Sequence, residues 1–126
     1  MLRKTTFAFV LLALLLGMST AAFAQKSTVV RVVVIKTDDV AAYLQALDRG
    51  TEIMKKIGVN ATTHAYRATY AGPEAGAIVV TIEFPNMAAF ADYSAKTEAD
   101  KDYQAWLKDL AKIRTIISDS LYRELR

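Results

Sequence analysis

Apolar β-branched residues are concentrated in four short segments, and polar or turn-forming residues bound each of them. Residues 28–37 (TVVRVVVIKT) are the first such segment. Because a run this short and this rich in valine favours extended backbone, we predict a buried strand there. Residues 61–70, 77–84 and 115–125 predict three further strands. Proline and glycine within residues 71–76 predict a turn between the second and third strands.

Helical periodicity occupies the two longer intervals between these strands. Asp39 is placed to cap the first helix and Gly58 to end it. The second helix would begin after a cap at Asn86, and its pattern weakens around residues 97–100, which predicts a kink or two helical pieces. The apolar positions that define these helices are Val40, Tyr43, Leu44, Leu47, Met54 and Ile57, then Met87, Phe90 and Tyr93, then Tyr103, Trp106, Leu107 and Leu110.

The predicted order is β-α-β-β-α-β, and its two halves are similar in sequence. Residues 36–43 (KTDDVAAY) align with residues 83–90 (EFPNMAAF), so that Asp39 and Asn86 take the same capping position. An internal repeat of this kind is typical of a split βαβ unit. We therefore predict an α+β, ferredoxin-like βαββαβ domain with an antiparallel sheet ordered 4-1-3-2 and both helices on one face.

The two central strands of this sheet are apolar on both faces. Two helices can cover only one of them, and a large bare apolar face usually marks an interface. The predicted bare face carries Val30, Val32 and Val34 beside Val79 and Thr81. We therefore expect a homodimer that pairs through this side of the sheet.

The first 24 residues have the three parts of a secretory signal peptide. Arg3 and Lys4 give a basic start, residues 7–16 are apolar, and small residues lead to Ala24. The alternative is a membrane anchor, but a span needs about 20 consecutive apolar residues and this run is shorter. We expect cleavage after Ala24, export to the periplasm or the medium, and one mature domain at residues 25–126.

Charge and cysteine content limit the partners of the mature domain. The chain has 16 basic and 13 acidic side chains, and loss of Arg3 and Lys4 leaves 14 and 13 with no basic run. This near-neutral balance argues against nucleic acid as a partner, and against the membrane once the signal is cleaved. The chain has no cysteine, so it must be stabilised without disulfides.

The chain resembles the dimeric α+β barrel superfamily over nearly all of residues 27–126. The resemblance depends on the element order, the entry Glu83-Phe84-Pro85-Asn86 to the second helix, the segment around Trp106, and residues 118–122 (SDSLY). It implies that two ferredoxin-like chains pack sheet against sheet. The superfamily includes cofactor-free monooxygenases, haem-degrading enzymes, lactone isomerases and members without an assigned role, so the resemblance implies a fold more strongly than an activity.

His64 is the single histidine, and Arg31 and Glu83 interrupt otherwise apolar strands. His64 could bind haem or transfer a proton, or it could be an inert residue at the rim of the sheet. Polarity places Arg31 and Glu83 together on the outer face. The repeat instead pairs Lys36 with Glu83 and turns Arg31 toward the helices, so its facing stays open.

Four aromatic residues complete the set of candidates. Trp106 and Tyr66, together with Tyr70 and Tyr122, could line a pocket for an aromatic ligand, or they could fill the core and the dimer interface. The sequence has neither metal-ligand spacing nor a phosphate-binding glycine loop, so we predict no cofactor and no metal.

These observations lead to three hypotheses of function. The first is an exported homodimer that binds a small hydrophobic or aromatic molecule in the barrel between its subunits, without catalysis assigned to it. The second is a cofactor-independent monooxygenase or isomerase that uses His64 or Glu83 as a base. The third is a haem-handling protein with His64 as the ligand.

Overall fold

Four β-branched segments form the sheet, and the periodic segments between them form helices that cover one side of it. The structure is a computed structural model that describes residues 27–126. Its elements are β1 (Val29–Lys36), α1 (Val40–Lys56), β2 (Thr62–Arg67), β3 (Ile78–Phe84), α2 (Met87–Ala99), α3 (Lys101–Ala111) and β4 (Thr115–Arg123). A short 3-10 turn, Gly72–Glu74, lies between β2 and β3.

The sheet has the order β2-β3-β1-β4, and each neighbouring pair of strands is antiparallel. This is the predicted 4-1-3-2 order with all helices on one face, so the ferredoxin-like prediction is confirmed. In the register, Val30 lies opposite Glu83 on β3 and opposite Tyr122 on β4. These three side chains therefore share one face of the sheet.

The caps inferred from the repeat are present at both helix starts. The carboxylate of Asp39 accepts a 2.9 Å hydrogen bond from the Ala42 amide, and the Asn86 side chain accepts one of 2.8 Å from Ala89. Asp100 is a third cap of the same type, because its carboxylate accepts from the Tyr103 amide at 2.8 Å. Asp100 has extended backbone, which ends α2 and starts α3. The weakened periodicity at residues 97–100 thus corresponds to a break between two helices.

The core lies between the helices and one face of the sheet. Phe84 and Ile35 are among the largest fully buried side chains on the strands, and Tyr43 and Leu110 among those on the helices. The opposite side, called here the bare face, is the side of the sheet that carries Val30, Val32, Val34, His64, Tyr66, Val79, Thr81, Glu83 and Tyr122. No helix of the described chain packs on the bare face.

Within residues 27–126, none of the helices is long and apolar enough to cross a membrane. The predicted signal peptide, residues 1–24, lies outside the described residues. Cleavage after Ala24 and export therefore stay predictions.

Candidate functional site

A charged pair lies at the edge of the layer between the sheet and the helices. Arg31 on β1 faces the helices, and its Nε donates a 2.9 Å hydrogen bond to Oδ1 of Asp119 on β4. Its Nη2 donates to the second carboxylate oxygen, so the contact is bidentate. The side chains of Arg31 and Asp119 are 31% and 36% exposed. Solvent therefore screens the pair in part, and it orients the guanidinium more than it stabilises the fold.

Two tyrosine hydroxyls extend this pair into the helical layer. Nη1 of Arg31 donates a 2.8 Å hydrogen bond to the hydroxyl of Tyr93 on α2. That hydroxyl lies 3.0 Å from the hydroxyl of Tyr103 on α3, and the two form a buried hydrogen bond. The cap at Asp100 sets the angle between α2 and α3, so the helix break brings Tyr93 and Tyr103 together.

Trp106 forms an aromatic wall between α3 and α1. Its indole Nε1 donates a 2.7 Å hydrogen bond to the carbonyl of Ala46, and its ring lies 5.0 Å from that of Tyr103. The ring packs against α1 at Gly50, where a Cβ atom would lie 2.2 Å from Cζ2 of Trp106. Glycine is therefore required at position 50 for this approach of the two helices.

These side chains surround a small cavity of about 50 Å³, called here the interlayer cavity. Its walls combine strand and helix residues, and its polar groups are phenol hydroxyls, two guanidinium groups and one carboxylate. The lining includes the polar or aromatic residues Arg31, Tyr43, Tyr93, Tyr103, Trp106, Arg114 and Asp119, with Leu47 and Leu107 as apolar members.

Two polar atoms of the interlayer cavity lack partners among the described residues. The hydroxyl of Tyr43 and Nε of Arg114 are both buried, and neither has a hydrogen-bond partner within residues 27–126. Tyr43 is fully buried on α1. Arg114 lies just before β4, in a segment fixed by a 2.7 Å hydrogen bond from Thr37 Oγ1 to the Ile113 carbonyl. Leaving a buried polar group unpaired typically costs about 1–3 kcal/mol, so such groups usually mark a ligand or a bound water.

The cavity environment fixes the protonation of its groups at neutral pH. Burial raises the pKa of Tyr43, and hydrogen bonding and charge from the adjacent Arg114 side chain oppose this shift only in part. The two side chains are thus neighbours, but among the described residues the distance and angle of a hydrogen bond are not met at the Tyr43 hydroxyl or at Nε of Arg114. Burial also raises the pKa of Tyr103, which the Tyr93 hydroxyl raises further. The hydrogen bonds from Arg31 lower the pKa of Asp119. Tyr43 and Tyr103 are thus phenols that can donate a proton in a hydrogen bond, and Asp119 is an ionised carboxylate and a weak base.

Larger surface openings adjoin the interlayer cavity. A strand-side opening of about 360 Å³ shares Arg31, Tyr93 and Asp119 with it and is bordered by Phe90 and Leu121. A helix-side opening of about 220 Å³ shares Arg31, Tyr93, Tyr103 and Leu107 with it. Together these spaces have room for a ligand larger than the cavity alone would hold.

The structure divides the five sequence-predicted candidates between the two faces of the sheet. Arg31 and Trp106 line the interlayer cavity, whereas His64, Tyr66 and Glu83 lie on the bare face. The polarity argument was wrong for Arg31, because its charge is neutralised by Asp119 beneath the helices. The repeat alignment placed it correctly. A single site containing all five residues is therefore not formed within one chain.

The other two aromatic candidates do not reach the cavity either. Tyr122 lies on the bare face, opposite Val30, and Tyr70 is fully exposed in the connection after β2. The bare face does bring His64 and Tyr66 close, with ring centroids 6.1 Å apart.

Sequence reasoning missed most of the polar groups in the interlayer cavity. Tyr43, Tyr93 and Tyr103 were assigned to helix faces as core residues, which their burial supports, but their hydroxyls converge on one space. Arg114 gave no pattern of its own, and Asp119 was noted only within residues 118–122, which carry the resemblance. The available signal was a phenol at three core positions of helices where leucine would fill the same space, since a buried phenol hydroxyl needs a partner.

No family model and no curated protein sequence matches the chain. Solved structures do share its fold. SnoaB, a cofactor-independent oxygenase from Streptomyces nogalater, superposes with a TM-score of 0.60 at 12% identity, covering 79% of this chain and 95% of SnoaB. A NIPSNAP family protein from Agrobacterium tumefaciens gives 0.57 at 16% identity, covering 78% of this chain and 91% of its own.

A third similar structure has no established role. It is a conserved protein of unknown function from Bacteroides thetaiotaomicron, described as a possible oxidoreductase, with a TM-score of 0.56 at 8% identity over 80% of this chain and all of the other. At these identities the likeness concerns the ferredoxin-like α+β fold alone.

Proposed function

We propose that the mature chain is an exported homodimer that binds a small hydrophobic or aromatic molecule, and that the ligand lies in the interlayer cavity and its adjoining openings. The sequence alone suggested the barrel between subunits as the binding site. The interlayer cavity is the better candidate because its polar groups converge there and two of them are unpaired among the described residues.

The observation that carries this proposal is the hydroxyl of Tyr43, which is fully buried in an aromatic-walled space and has no hydrogen-bond partner among residues 27–126. A binding site for a small molecule combines apolar walls with a few convergent polar groups. Trp106 and Leu107 supply such walls, and Tyr43 and Arg114 supply polar groups.

The bare face supports the homodimer part of the proposal. Tyr66 and Tyr122 are 54% and 58% exposed on it, and they lie beside Val79 of β3 and Val30 of β1 respectively. Sheet-to-sheet pairing would bury this stripe, and one two-fold axis would serve both copies. Light scattering on residues 25–126 should give the mass of two chains. A Val32→Glu variant should give the mass of one, and a monomeric wild type would remove the dimer but leave the interlayer cavity intact.

Binding at the interlayer cavity can be tested by filling it. Leu47 lines the cavity, and Leu44, one turn earlier on α1, is 40% exposed and outside it. Native mass spectrometry of the protein purified from its own cells should detect a retained small molecule in the wild type and in Leu44→Phe, but not in Leu47→Phe. Leu107→Phe is a second filling variant, and the urea midpoint of each variant verifies folding. Retention by both filling variants would contradict the proposal.

A cofactor-independent oxygenase is the second candidate, and the fold shared with SnoaB favours it. Such chemistry calls for a base near neutral pH to take a proton from the substrate. Around the interlayer cavity, Tyr43 and Tyr103 have raised pKa values and stay protonated at neutral pH, so neither can accept the proton. Asp119 is ionised, but its lowered pKa makes it a weak base. We therefore place binding first. Oxygen consumption with an electron-rich phenol, lost in Leu47→Phe and kept in Leu44→Phe, would reverse this order.

A further inference from the structure

We infer that the ligand of the interlayer cavity carries a carboxylate, and that this carboxylate accepts hydrogen bonds from the Tyr43 hydroxyl and from Nε of Arg114. The inference rests on the proposed function and names the chemical class of its ligand. It starts from two buried donors that have no acceptor among residues 27–126.

The donor chemistry selects an acceptor. Nε of a guanidinium can only donate, and the Tyr43 hydroxyl is held in its protonated form by burial. Two donors that face one cavity are satisfied together by a group with two acceptor oxygens and no hydrogens. A carboxylate is such a group, and arginine binds it with directed hydrogen bonds.

The charges around the cavity favour an anion. Arg31 and Arg114 are positive, Asp119 is negative, and the other lining residues are uncharged, so the lining carries a formal charge of +1. Asp119 is already engaged by Arg31 through both carboxylate oxygens. Among the described residues Arg114 forms no direct ion pair, although its charge contributes to the lowered pKa of Asp119.

The size of the cavity agrees with a head group rather than a whole ligand. An apolar cavity of about 150 Å³ holds one benzene molecule. The interlayer cavity has about 50 Å³, which is enough for a carboxylate and too little for an aromatic ring. The body of the ligand would then occupy an adjoining opening.

Access to the carboxylate site is provided beside Arg114. This residue also lines a surface cleft of about 340 Å³ at the ends of β1 and α3, whose other cations are Lys36 and Lys112 and whose acids are Asp38 and Asp39. Lys36 and Lys112 balance Asp38 and Asp39 in formal charge, so Arg114 carries the net positive charge of this lining. An anion that enters the cleft is therefore attracted toward Arg114, which the cleft shares with the cavity.

Benzoate and benzamide test the inference, because they have nearly the same shape and differ in charge. Binding to mature wild-type protein is followed by the fluorescence of Trp106, the single tryptophan, which lines the cavity. We expect benzoate to bind at least tenfold more tightly than benzamide, a difference of about 1.4 kcal/mol. Arg114→Gln and Tyr43→Phe should weaken the binding of benzoate more than that of benzamide and so reduce this preference. Arg114→Lys should restore part of it.

The outcomes separate the inference from the proposed function. Equal binding of benzoate and benzamide in the wild type would overturn the carboxylate assignment and leave the cavity as a binding site. An equal preference for benzoate in Arg114→Gln and in the wild type would also overturn it, because the anion would then be held elsewhere. If neither probe bound, and if Leu47→Phe retained a ligand as the wild type does, both the carboxylate assignment and the proposed binding function would be overturned.

Discussion

The indole Nε1 of Trp106 donates a 2.7 Å hydrogen bond to the carbonyl oxygen of Ala46, which lies 60 residues earlier in the chain. The acceptor is a helix carbonyl of α1. The approach is possible only because Ala46 and Gly50 leave the surface of α1 flat on this side. Trp106 therefore sets the distance between α1 and α3 and, with it, the width of the interlayer cavity.

Gly50→Ala should destabilise the protein although alanine is the better helix former. The propensity gain is about 1 kcal/mol. The new methyl group would lie 2.2 Å from the ring of Trp106, which its hydrogen bond to Ala46 holds in place. Such overpacking typically costs about 1–3 kcal/mol, so we expect a net loss in the free energy of unfolding.

Urea unfolding of Gly50→Ala, Trp106→Phe and the double variant measures this contact. The smaller ring should relieve the clash. The double variant should therefore lose less free energy of unfolding than the two single variants lose together. If Gly50→Ala alone were more stable than the wild type, the packing of Trp106 on α1 would be wrong.

Asp119→Asn should destabilise the protein at neutral pH and have a smaller effect in acid. Hydrogen bonds from Arg31 lower the folded-state pKa of Asp119. The stabilisation is therefore complete above the unfolded-state pKa of about 3.9 and is lost as the pH falls through the folded-state pKa. Because both side chains are about a third exposed, we expect only about 1 kcal/mol at neutral pH.

The free energy of unfolding of Asp119→Asn is compared with that of the wild type at neutral pH and again below about pH 4. Asp109→Asn is the control, since Asp109 pairs with Lys112 at 3.0 Å in a largely exposed contact. An effect of Asp119→Asn that grew toward acid pH would contradict the assigned sign.

Two of the six tyrosines should resist ionisation in the folded protein. Burial raises the pKa of Tyr43 and of Tyr103 above the usual value of about 10. At about pH 11, tyrosinate absorbance should correspond to at most four of the six residues. While folded, Tyr43→Phe and Tyr103→Phe should each give the same tyrosinate absorbance as the wild type. Unfolded in guanidinium, each variant should give the absorbance of one tyrosinate fewer than the wild type. A loss of amplitude in the folded variants would contradict this.

Asp100→Ala should cost about 0.5–2 kcal/mol, the range for loss of a helix cap. It removes the hydrogen bond to the Tyr103 amide and loosens the break between α2 and α3. Asp39→Ala and Asn86→Ala should have similar effects, and Asp48→Ala, at an exposed position within α1, should be nearly neutral. Shifts of the urea midpoint measure all four. Equal midpoints for Asp100→Ala and wild type would contradict the role of the cap.

The fold could be predicted from the sequence because its signals are local and repeated. Asp39 and Asn86 occupy equivalent caps in the two halves, and the structure confirms both. The facing of Arg31 stayed open, since the repeat turned it toward the helices and polarity turned it outward, and the structure agrees with the repeat. Charge is a poor guide to facing when a partner such as Asp119 lies 88 residues away in the sequence.

The candidate site could not be predicted in the same way. Tyr43, Tyr103 and Arg114 come from three separate elements, and each fits a core or loop position by itself. Their convergence depends on the angle between α2 and α3 and on how closely Trp106 approaches α1, which are tertiary properties. His64 and Glu83 attracted attention because they are polar in a strand, yet the register places them on the bare face.

Nuclear magnetic resonance of the mature protein during titration with benzoate tests the central claim most directly, because it locates the ligand. The single indole N–H of Trp106 and the Nε–H of Arg114 give side-chain signals within the interlayer cavity. We predict that both shift in a saturable way, with the Tyr43 amide, while signals of His64, Tyr66 and Glu83 stay in place. Saturable shifts confined to His64, Tyr66 and Glu83, with Trp106 and Arg114 unchanged, would contradict the account.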